Sequence, residues 1–426
     1  MIRYALGLDF GTGGVRAMAL APTEAIEAAE RIDFGHLAEQ DAARVWRDSL
    51  FEVIAKLPQG VRKRLSHIAL DGTSGTLLAC DADLDPLHPP LLYHDARARV
   101  EAERIAAIAG PEHTAASASS GLAKALWLQA QPQLDTVRYY LNQADWLAAL
   151  LSGRPGLSDY HNALKLGFDV AARRWPAWVG QLVPLARLPQ VVAPGSEIGP
   201  VERGEANRLG LAHDCLIRAG TTDSIAAFLA AGVDRPGEAV TSLGTTLVLK
   251  LLSEKRVEAA RYGVYSHWFG DFWLAGGASN AGGGVLRQFF DAAQIAALSS
   301  EIDPQADSGL DYYPLPRPGE RFPINDPALP PRLAPRPAAD RQFLHGLLEG
   351  LARIEAQGYA RLVELGATPL RRVVSAGGGA VNDTYRRIRQ RLLKVEVTTA
   401  PQQEAVFGAA RLALHGTALF PLQSKP

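Results

Sequence analysis

Two kinds of apolar spacing run through this chain, and together they predict alternating strands and helices. In residues 45–57 and 344–354, apolar side chains recur every three or four positions, which is typical of one helix face. Short β-prone runs bounded by glycine are typical of strands instead. The pattern predicts helices over 40–57, 124–129, 143–151, 223–232, 342–365, from 383 and over 404–414. It predicts strands over 4–10, 15–20, 67–70, 239–250 (two strands) and 372–376. It also predicts a polar loop over 158–165 and a stiff extended segment over 311–337.

The first glycine-rich turn joins the two apolar runs at the start of the chain. Residues 11–14, Gly-Thr-Gly-Gly, separate 4–10 from 15–20, so the stretch predicts a hairpin. Backbone N–H groups of such a turn, with the Thr12 hydroxyl, can hold phosphate oxygens. Asp9 at the strand end can hold Mg²⁺ directly or through water, and Arg16 adds a positive charge. A plain hairpin is the alternative for this stretch taken alone.

A second copy of this pattern lies in the other half of the chain. Residues 239–250 again read as an apolar run, then Leu243-Gly244-Thr245, then another apolar run. Thr12 and Thr245 are 245 − 12 = 233 positions apart, about half the chain. Two such hairpins, one in each half, predict two homologous lobes that face one phosphate chain.

A third glycine-rich stretch follows the strand predicted over 372–376. Gly377, Gly378 and Gly379 come directly after this strand, and Asn382 precedes a helix predicted from about Asp383. A strand, a glycine turn and a helix N-terminus form a common platform for anions and nucleotides, because the first backbone N–H groups of the helix are unpaired.

Four polar residues at three places in the chain are candidates for ligand contact, and each place has a structural alternative. Asp223 follows a Gly-Thr-Thr turn at the start of an apolar helix, where it caps the helix or meets a ligand. Ser74 lies on a Gly/Ser turn that also reads as a plain hairpin. Asp95 and Arg97 share a side in an extended chain, facing a polar ligand or forming a solvated pair.

The polar stretch 158–165 has the same two interpretations. Asp159 and Asn162 lie within it, and this composition is equally typical of an Asx-turn with a helix cap and of ligand contact.

Charge and cysteine content narrow the possible classes. The 44 Lys and Arg balance 45 Asp and Glu, so no net charge favours nucleic acid or an anionic membrane. Cys80 and Cys215 allow neither a disulfide framework nor a CxxC metal pair, which predicts a reduced, cytoplasmic setting. No signal peptide is visible, and no apolar run approaches the ~20 residues of a membrane span. The length of 426 residues predicts two or three domains.

In their order along the chain, these segments resemble the FGGY carbohydrate kinases, within the actin-like, duplicated ribonuclease H-like superfamily. The matching segments are LGLDFGTGGVR, the turn with Ser74, YHDAR, SDYHNA, GTTDS, SLGTT, GGASNAGGG, SAGGGAVND and EAVFGAA. The resemblance implies an α/β fold of two ribonuclease H-like (actin-like ATPase) lobes with a central cleft. It implies an N-terminal lobe over 1–230 with the sugar and phosphate site, a C-terminal lobe over 231–426 with the nucleotide site, and a last helix, from about 404, that packs on the first lobe.

The composition and short length look closest to the compact pentulose kinases. The resemblance then implies that the chain uses ATP and Mg²⁺ to phosphorylate the terminal hydroxyl of a pentulose, D-ribulose first and D-xylulose next. Its partner would be this small sugar, and the protein would be a monomer or homodimer in the cytoplasm. By the same resemblance, Asp9 would organise Mg²⁺, and Asp223 would contact the sugar as catalytic base. The phosphates would be met by Gly11, Thr12, Gly13, Arg16, Gly244 and Thr245, and the adenosine end would be held by Gly377, Gly378 and Asn382. The sugar pocket would be lined by Ser74, Asp95 and Arg97.

Two other classes of protein share parts of this pattern. An actin-like or chaperone-like ATPase would have the two Gly-Thr turns, but it needs neither the polar pocket of Asp95 and Arg97 nor the base Asp223. A sugar-sensing module on the same fold would not need Asp9 and Asp223 intact. Tyr93 stands where a Trp is common in the family, and Gly13 and Gly14 stand where small hydroxyl residues are common.

Overall fold

One mixed β-sheet lies at the centre of each of two α/β units in the computed structural model, which describes residues 2–421. Residues 2–230 with Glu404–Phe420 form unit 1, and Ala231–Gln403 with Pro421 form unit 2. Each unit has its own large cluster of buried apolar side chains. Within residues 2–421, no helix combines the length and the apolar character that crossing a membrane requires.

The strands are short and are numbered along the chain. They are β1 (Tyr4–Phe10), β2 (Gly14–Leu20), β3 (Ile26–Asp33), β4 (Leu65–Gly72), β5 (Leu77–Cys80), β6 (Tyr139–Asn142), β7 (Leu157–Asp159), β8 (Gln190–Val192), β9 (Glu197–Pro200), β10 (Leu216–Arg218), β11 (Thr221–Thr222), β12 (Glu238–Leu243), β13 (Leu247–Ser253), β14 (Tyr265–Phe269), β15 (Phe272–Ser279), β16 (Arg372–Ala376) and β17 (Glu396–Thr399).

The α-helices are numbered in the same way. They are α1 (Ala42–Lys56), α2 (Gln59–Arg62), α3 (Arg99–Ala109), α4 (Gly121–Gln129), α5 (Gln143–Ser152), α6 (Tyr160–Ala163), α7 (Ala177–Gly180), α8 (Arg203–Leu209), α9 (Asp223–Ala230), α10 (Gly283–Leu286), α11 (Ala292–Ser300), α12 (Asp340–Glu364), α13 (Asp383–Leu393) and α14 (Ala405–His415).

The sheet of unit 1 has the strand order β3-β2-β1-β4-β10-β9, with β11 also paired to β4. All residues of β1 are buried, as expected for an apolar strand at the middle of a sheet covered on both faces. β1 is antiparallel to β2 but parallel to β4, and β11 is parallel to β4. The carboxyl ends of β1, β4 and β11 therefore meet at one edge of the sheet.

The sheet of unit 2 repeats this arrangement with the order β14-β15-β13-β12-β16-β17. Its first two strands, β12 and β13, form an antiparallel hairpin, and β12 is parallel to β16. The two hairpins predicted around the Gly-Thr turns are thus confirmed, together with the strand over 372–376 and the α/β class. The helices predicted over 40–57, 143–151, 342–365 and 404–414 are also present, with ends that differ by one or two residues.

Two local predictions are wrong. β4 and β5 do not form a hairpin: β4 pairs with β1, and β5 pairs with β6 in a separate two-stranded sheet. The stretch 158–165 is not a polar surface loop, because it contains the end of β7, helix α6 and part of a 3-10 turn, with most of its residues buried. Its Asx-cap interpretation is confirmed, since the Asp159 carboxylate accepts from the backbone N–H groups of His161 and Asn162.

The helix α14 packs on β1 and α9 through glycines that leave no room for a side chain. A methyl group added at Gly7 of β1 would lie 2.2 Å from the Ala410 nitrogen. One added at Gly408 would lie 1.8 Å from the Ala226 oxygen of α9. Both distances are shorter than any real contact, so the backbones touch directly. One helix thereby holds the strand that carries Asp9 and the helix that begins at Asp223.

A buried ion pair joins four elements of unit 2. Arg389 of α13 donates through Nε and Nη2 to the Glu355 carboxylate of α12, at 2.6 and 2.7 Å, and both side chains are fully buried. Arg389 also donates to Ser375 of β16, while Thr241 of β12 donates to Glu355. Such a fully hydrogen-bonded pair fixes geometry more than it adds stability. It fixes the strands whose ends lead to Gly244 and Gly377.

Candidate active site

Three carboxylates gather at the sheet edge of unit 1. Asp9 lies near the end of β1 and Asp71 near the end of β4, and the parallel register pairs their Cα atoms. Asp9 is 6% exposed and Asp71 is 0% exposed. Asp223 follows β11, whose Thr221 is the register partner of Asp71. We call Asp9, Asp71 and Asp223 the carboxylate cluster.

The electrostatics of this cluster are unfavourable for full ionisation. Burial, followed by the charges of Asp9 and Asp223, holds the pKa of Asp71 well above its usual range. Burial also raises the pKa of Asp9, although Asp71 and Arg16 act in the opposite direction. The Arg16 guanidinium lies 3.8 Å from Asp9 Oδ2 and is half exposed, so it neutralises the cluster only in part.

The cluster suits a magnesium ion that keeps most of its water ligands. Within residues 2–421, no group of three or more His, Cys, Asp or Glu side chains is arranged to hold a metal ion by itself. Mg²⁺ is commonly bound through one or two carboxylates, water and substrate phosphates, which is what Asp9 and Asp71 offer. Both Asp71 oxygens lack a hydrogen-bond donor, so the chemistry of the donor set fits a hard cation.

The glycine turn next to the cluster leaves open space. Gly11 N–H donates to Gly14 O at 3.1 Å, which closes the turn between β1 and β2. Thr12 and Gly13 are exposed, and a methyl group added at Gly13 would meet nothing within 4 Å. The Thr12 hydroxyl and this turn therefore remain candidates for phosphate contact.

A buried polar network supports the strand just before Asp223. Asn162 Nδ2 donates to Thr221 O at 3.1 Å, and His161 Nδ1 is 2.7 Å from Thr221 Oγ1. Asp159 anchors Asn162, since its Oδ2 accepts from Asn162 Nδ2 at 2.6 Å. Asp223 itself is the first residue of α9 and accepts from Ser224 N–H at 2.6 Å, so its predicted position at the N-terminus of this helix is confirmed. This position does not exclude a role toward a ligand.

A second buried carboxylate continues this network. Asp145 accepts from Ser158 Oγ at 2.7 Å and from Asn142 Nδ2 at 2.9 Å. Burial, with the nearby charge of Asp159, raises the pKa of Asp145 to about 8, and burial raises the pKa of Asp159 to about 6. The sequence pattern predicted Asp159 and Asn162 as candidates, but it offered no sign of Asp145, His161 or Thr221.

Asp95 and Arg97 bind each other. Arg97 donates to Asp95 from its backbone N–H at 3.0 Å and from its guanidinium, with Nη2 2.7 Å from Oδ2. Burial acts to raise the pKa of Asp95, but the hydrogen bonds from Arg97 outweigh it, so the pKa is lowered. The Arg97 guanidinium also lies 5.1 Å from the Trp127 ring centroid. Arg97 is partly exposed, so the pair can still meet a ligand.

Lys124 connects the two loops that carry the predicted sugar contacts, and sequence reasoning missed it. Its ammonium donates to Gly75 O at 2.7 Å and to Leu92 O at 2.6 Å, and the residue is 0% exposed. Gly75 follows Ser74, whose carbonyl accepts from Lys165 Nζ at 3.3 Å. The only sequence signal was a lysine opening the otherwise apolar run KALWLQ.

Unit 2 contains a cavity of about 1000 Å³ bounded by glycine turns. Gly244, Thr245, Gly378 and Asn382 line it, as do apolar side chains that include Leu286, Phe290 and Ile295. Gly377 does not line it, but its φ of 83° turns the chain toward Gly378. Asn382 caps α13 by accepting from Tyr385 N–H at 2.9 Å. A mostly apolar cavity with N–H groups at one end suits a nucleoside phosphate.

Arg287 is a further cation in this cavity that the sequence pattern did not indicate. Its Nη2 donates to Thr245 Oγ1 at 2.6 Å, and both residues line the cavity. The Gly244 carbonyl accepts from Gly283 N–H at 2.8 Å, which ties this turn to the start of α10. Arg287 thus places a positive charge beside the Gly-Thr turn.

The buried lysine makes a pH-dependent prediction. Burial lowers the pKa of Lys124 from 10.5 to about 7. Between these two values the unfolded chain binds a proton that the folded chain lacks, so this group makes stability rise with pH. We measure the free energy of unfolding in urea for wild type and for Lys124→Met. We expect the value for wild type to exceed that of the variant by more at about pH 9 than at about pH 6.5. Lys56→Met, a substitution at an exposed position of α1, is the control. A difference in free energy of unfolding between wild type and Lys124→Met that did not change with pH would contradict the prediction.

Comparisons with known proteins give matches along nearly the whole chain. Residues 4–230 match the N-terminal domain of the FGGY family of carbohydrate kinases, and residues 239–417 match its C-terminal domain. A xylulose kinase of Staphylococcus epidermidis is 24% identical over 445 residues, covering 97% of this chain and 88% of that protein. A gluconokinase of Bacillus subtilis is 22% identical over 471 residues, covering 98% and 88%.

Solved structures show the same fold. A xyloylose kinase from Brucella ovis superposes with a TM-score of 0.85 at 22% identity, covering 100% of this chain and 94% of that one. A xylulose kinase from Rhodospirillum rubrum gives a TM-score of 0.84 at 23% identity, covering 97% and 90%. These matches confirm the predicted fold class of two ribonuclease H-like α/β lobes. The chain belongs to the FGGY family of carbohydrate kinases, enzymes that transfer a phosphoryl group from ATP to a sugar.

Proposed function

We propose that this kinase phosphorylates the terminal hydroxyl of a pentulose, with D-ribulose preferred and D-xylulose next. The observation that carries the proposal is the match along nearly the full chain to proteins named xylulose kinase. The two sugars are five-carbon ketoses that differ only in the configuration at C3, so one pocket can accept both. The order between them rests on the family resemblance of the sequence alone.

The carboxylate cluster supplies the groups that act at the sugar hydroxyl. A carboxylate is a much weaker base than an alkoxide, so early deprotonation of the sugar by Asp223 is unfavourable. Asp223 instead accepts a hydrogen bond from the hydroxyl and orients it. It takes the proton late, when the new P–O bond makes the oxygen acidic, which suits a loose transition state.

The two Gly-Thr turns and the glycine-walled cavity are proposed to hold ATP. In unit 1, Gly11 closes the turn, and Gly13 N–H and the Thr12 hydroxyl donate to terminal phosphate oxygens, with Arg16 as a nearby positive charge. In unit 2, the turn of Gly244 and Thr245 meets the phosphate chain, and the cavity beside Gly377, Gly378 and Asn382 accepts the adenosine. Mg²⁺ bound at Asp9 would neutralise charge on the phosphates. Arg287, hydrogen-bonded to Thr245, adds charge at the same turn.

The sugar is proposed to bind at the loops that carry Ser74, Asp95 and Arg97. The Asp95–Arg97 pair offers both acceptors and donors to sugar hydroxyls, and its bidentate contact keeps the two side chains in one geometry. Lys124 holds the backbone of both loops from below through Gly75 and Leu92. Tyr93 is 45% exposed next to this pair and is a candidate determinant of sugar selectivity.

A substrate panel tests the proposed function directly. ADP release is measured with D-ribulose, D-xylulose, L-ribulose, gluconate and glycerol, and the product phosphate is located by NMR. We expect kcat/KM for D-ribulose and then D-xylulose to exceed the values for gluconate and glycerol by at least about tenfold. Faster turnover of gluconate or glycerol would reject a pentulose kinase, and a clear preference for D-xylulose would reject the order proposed.

Replacement of Asp223 by Asn tests the base. Asn keeps the shape and a cap acceptor for Ser224 N–H but removes the basic oxygen. We expect Asp223→Asn to lower kcat by ~10²–10⁴ while ATP affinity and the melting temperature stay near wild type. If the variant unfolded while its activity per folded molecule stayed normal, Asp223 would be only a helix cap.

Two adjacent glycines test the nucleotide cavity. A methyl group added at Gly378 would meet nothing within 4 Å, so Gly378→Val projects into the cavity without disturbing the fold. We expect this variant to weaken ATP binding by about tenfold or more, measured by calorimetry, at a normal melting temperature. Gly379→Val is the matched control, because its Cβ would lie 2.9 Å from Leu243 Cβ and should lower the melting temperature. Normal ATP binding by Gly378→Val would reject the proposal that this cavity binds the nucleotide.

A further inference from the structure

Asp71 is a fully buried carboxylate without a hydrogen-bond donor. Its exposure is 0%, and within residues 2–421 no N–H or O–H group donates to either of its oxygens. Buried polar atoms almost always have a partner, so each exception calls for an explanation such as an ion. Two other buried carboxylates of unit 1 differ in this respect, because Asp145 and Asp159 each accept several hydrogen bonds.

The nearest charged neighbour of Asp71 makes its burial more unfavourable. Asp9 is its register partner on the adjacent parallel strand, and the two carboxyl groups lie within hydrogen-bonding reach of each other. Two acceptors at this distance repel each other unless a proton or a cation lies between them. The backbone pairing of β1 and β4 holds the Cα atoms of these two residues side by side.

The local charge favours a divalent cation over a proton. Asp9, Asp71 and Asp223 together carry three negative charges when ionised, and Glu404 adds to the negative potential at Asp9. Arg16 supplies one positive charge at 3.8 Å. A shared proton would leave the cluster negative, whereas a dication balances the three carboxylates and Arg16. Carboxylate oxygens are also the ligands that Mg²⁺ and Mn²⁺ prefer.

We propose that Asp71 is a second direct ligand, with Asp9, of a divalent cation that binds before the nucleotide. The sequence pattern indicated Asp9 alone. Binding of the cation follows from the paired carboxylates alone. The inference rests on the proposed function only where it assigns this cation a use in phosphoryl transfer. Asp71 is thus retained for the cation at a cost to the stability of the cation-free protein.

Asp71→Asn is expected to raise the melting temperature of the cation-free protein and to lower its affinity for the cation. Asp71→Asn removes a charge from a buried like-charged pair, so the cation-free variant should melt at a higher temperature than wild type. The same change removes an anionic ligand, so the variant should bind the cation at least about tenfold more weakly. A purely structural role for Asp71 would lower the melting temperature and leave cation affinity unchanged.

Titration of the full-length protein with Mn²⁺ alone, without nucleotide or sugar, tests the site. Free Mn²⁺ is followed by electron paramagnetic resonance, and melting temperatures are measured with and without Mn²⁺. We expect wild type to bind one Mn²⁺ and to be stabilised by it, and Asp71→Asn to lose both effects. Asp145→Asn is the matched control, because it also alters a buried carboxylate beside another one, and its Mn²⁺ affinity should equal that of wild type.

Two results would overturn the inference. One is wild-type Mn²⁺ affinity in Asp71→Asn, and the other is no Mn²⁺ binding by wild type until nucleotide is added. Asp71→Ser, which keeps an oxygen but no charge, repeats the test if the Asn variant does not fold. Loss of Mn²⁺ binding in these variants, together with no turnover of any pentulose by wild type, would keep the cation site and reject the proposed substrate.

Discussion

The pairing of β1 with β4 is the constraint on which the rest of unit 1 depends. Because the strands are parallel and their register joins Asp9 to Asp71, two carboxylates are forced together at a buried edge. β11 pairs with β4 at the same edge and leads directly to Asp223. In an α/β sheet the carboxyl ends of parallel strands are where ligands bind. The site proposed for the phosphoryl transfer of this family is therefore one whose negative charge follows from the hydrogen-bonded pairing of the strands.

Buried polar side chains hold the surroundings of this site in place through backbone atoms. Lys124 binds two carbonyls on different loops, and Asn162 binds the Thr221 carbonyl just before Asp223. In unit 2 the Arg389–Glu355 pair connects the strands that lead to the glycine turns. Such groups are costly to bury unless every hydrogen bond is made, so they favour one arrangement of the loops over its alternatives. Asp71 differs from these groups because neither of its two carboxylate oxygens has a donor among residues 2–421, which is why it points to a bound ion.

Prediction from the sequence succeeded where the signal is local. The Gly-Thr turns at Thr12 and Thr245, the strand over 372–376 and the helix start at Asp223 each follow from a few adjacent residues. It failed at β4 and β5, because two short apolar runs around a turn look like a hairpin whether or not they pair with each other. It also failed at 158–165, where Ser158 and Asn162 are buried and bind partners elsewhere in unit 1.

The sequence by itself determined the family, the duplicated α/β units and the candidate residues Asp9, Asp223, Asp95 and Arg97, because these depend on short motifs in a fixed order. Only the tertiary structure decided which groups meet across long stretches of chain. Asp71 faces Asp9 after a separation of 62 positions, Lys124 reaches Gly75 and Leu92, and Arg287 reaches Thr245. The physical reason is that strand pairing and helix packing set these contacts, and a local sequence pattern does not say which distant element a strand or helix will meet.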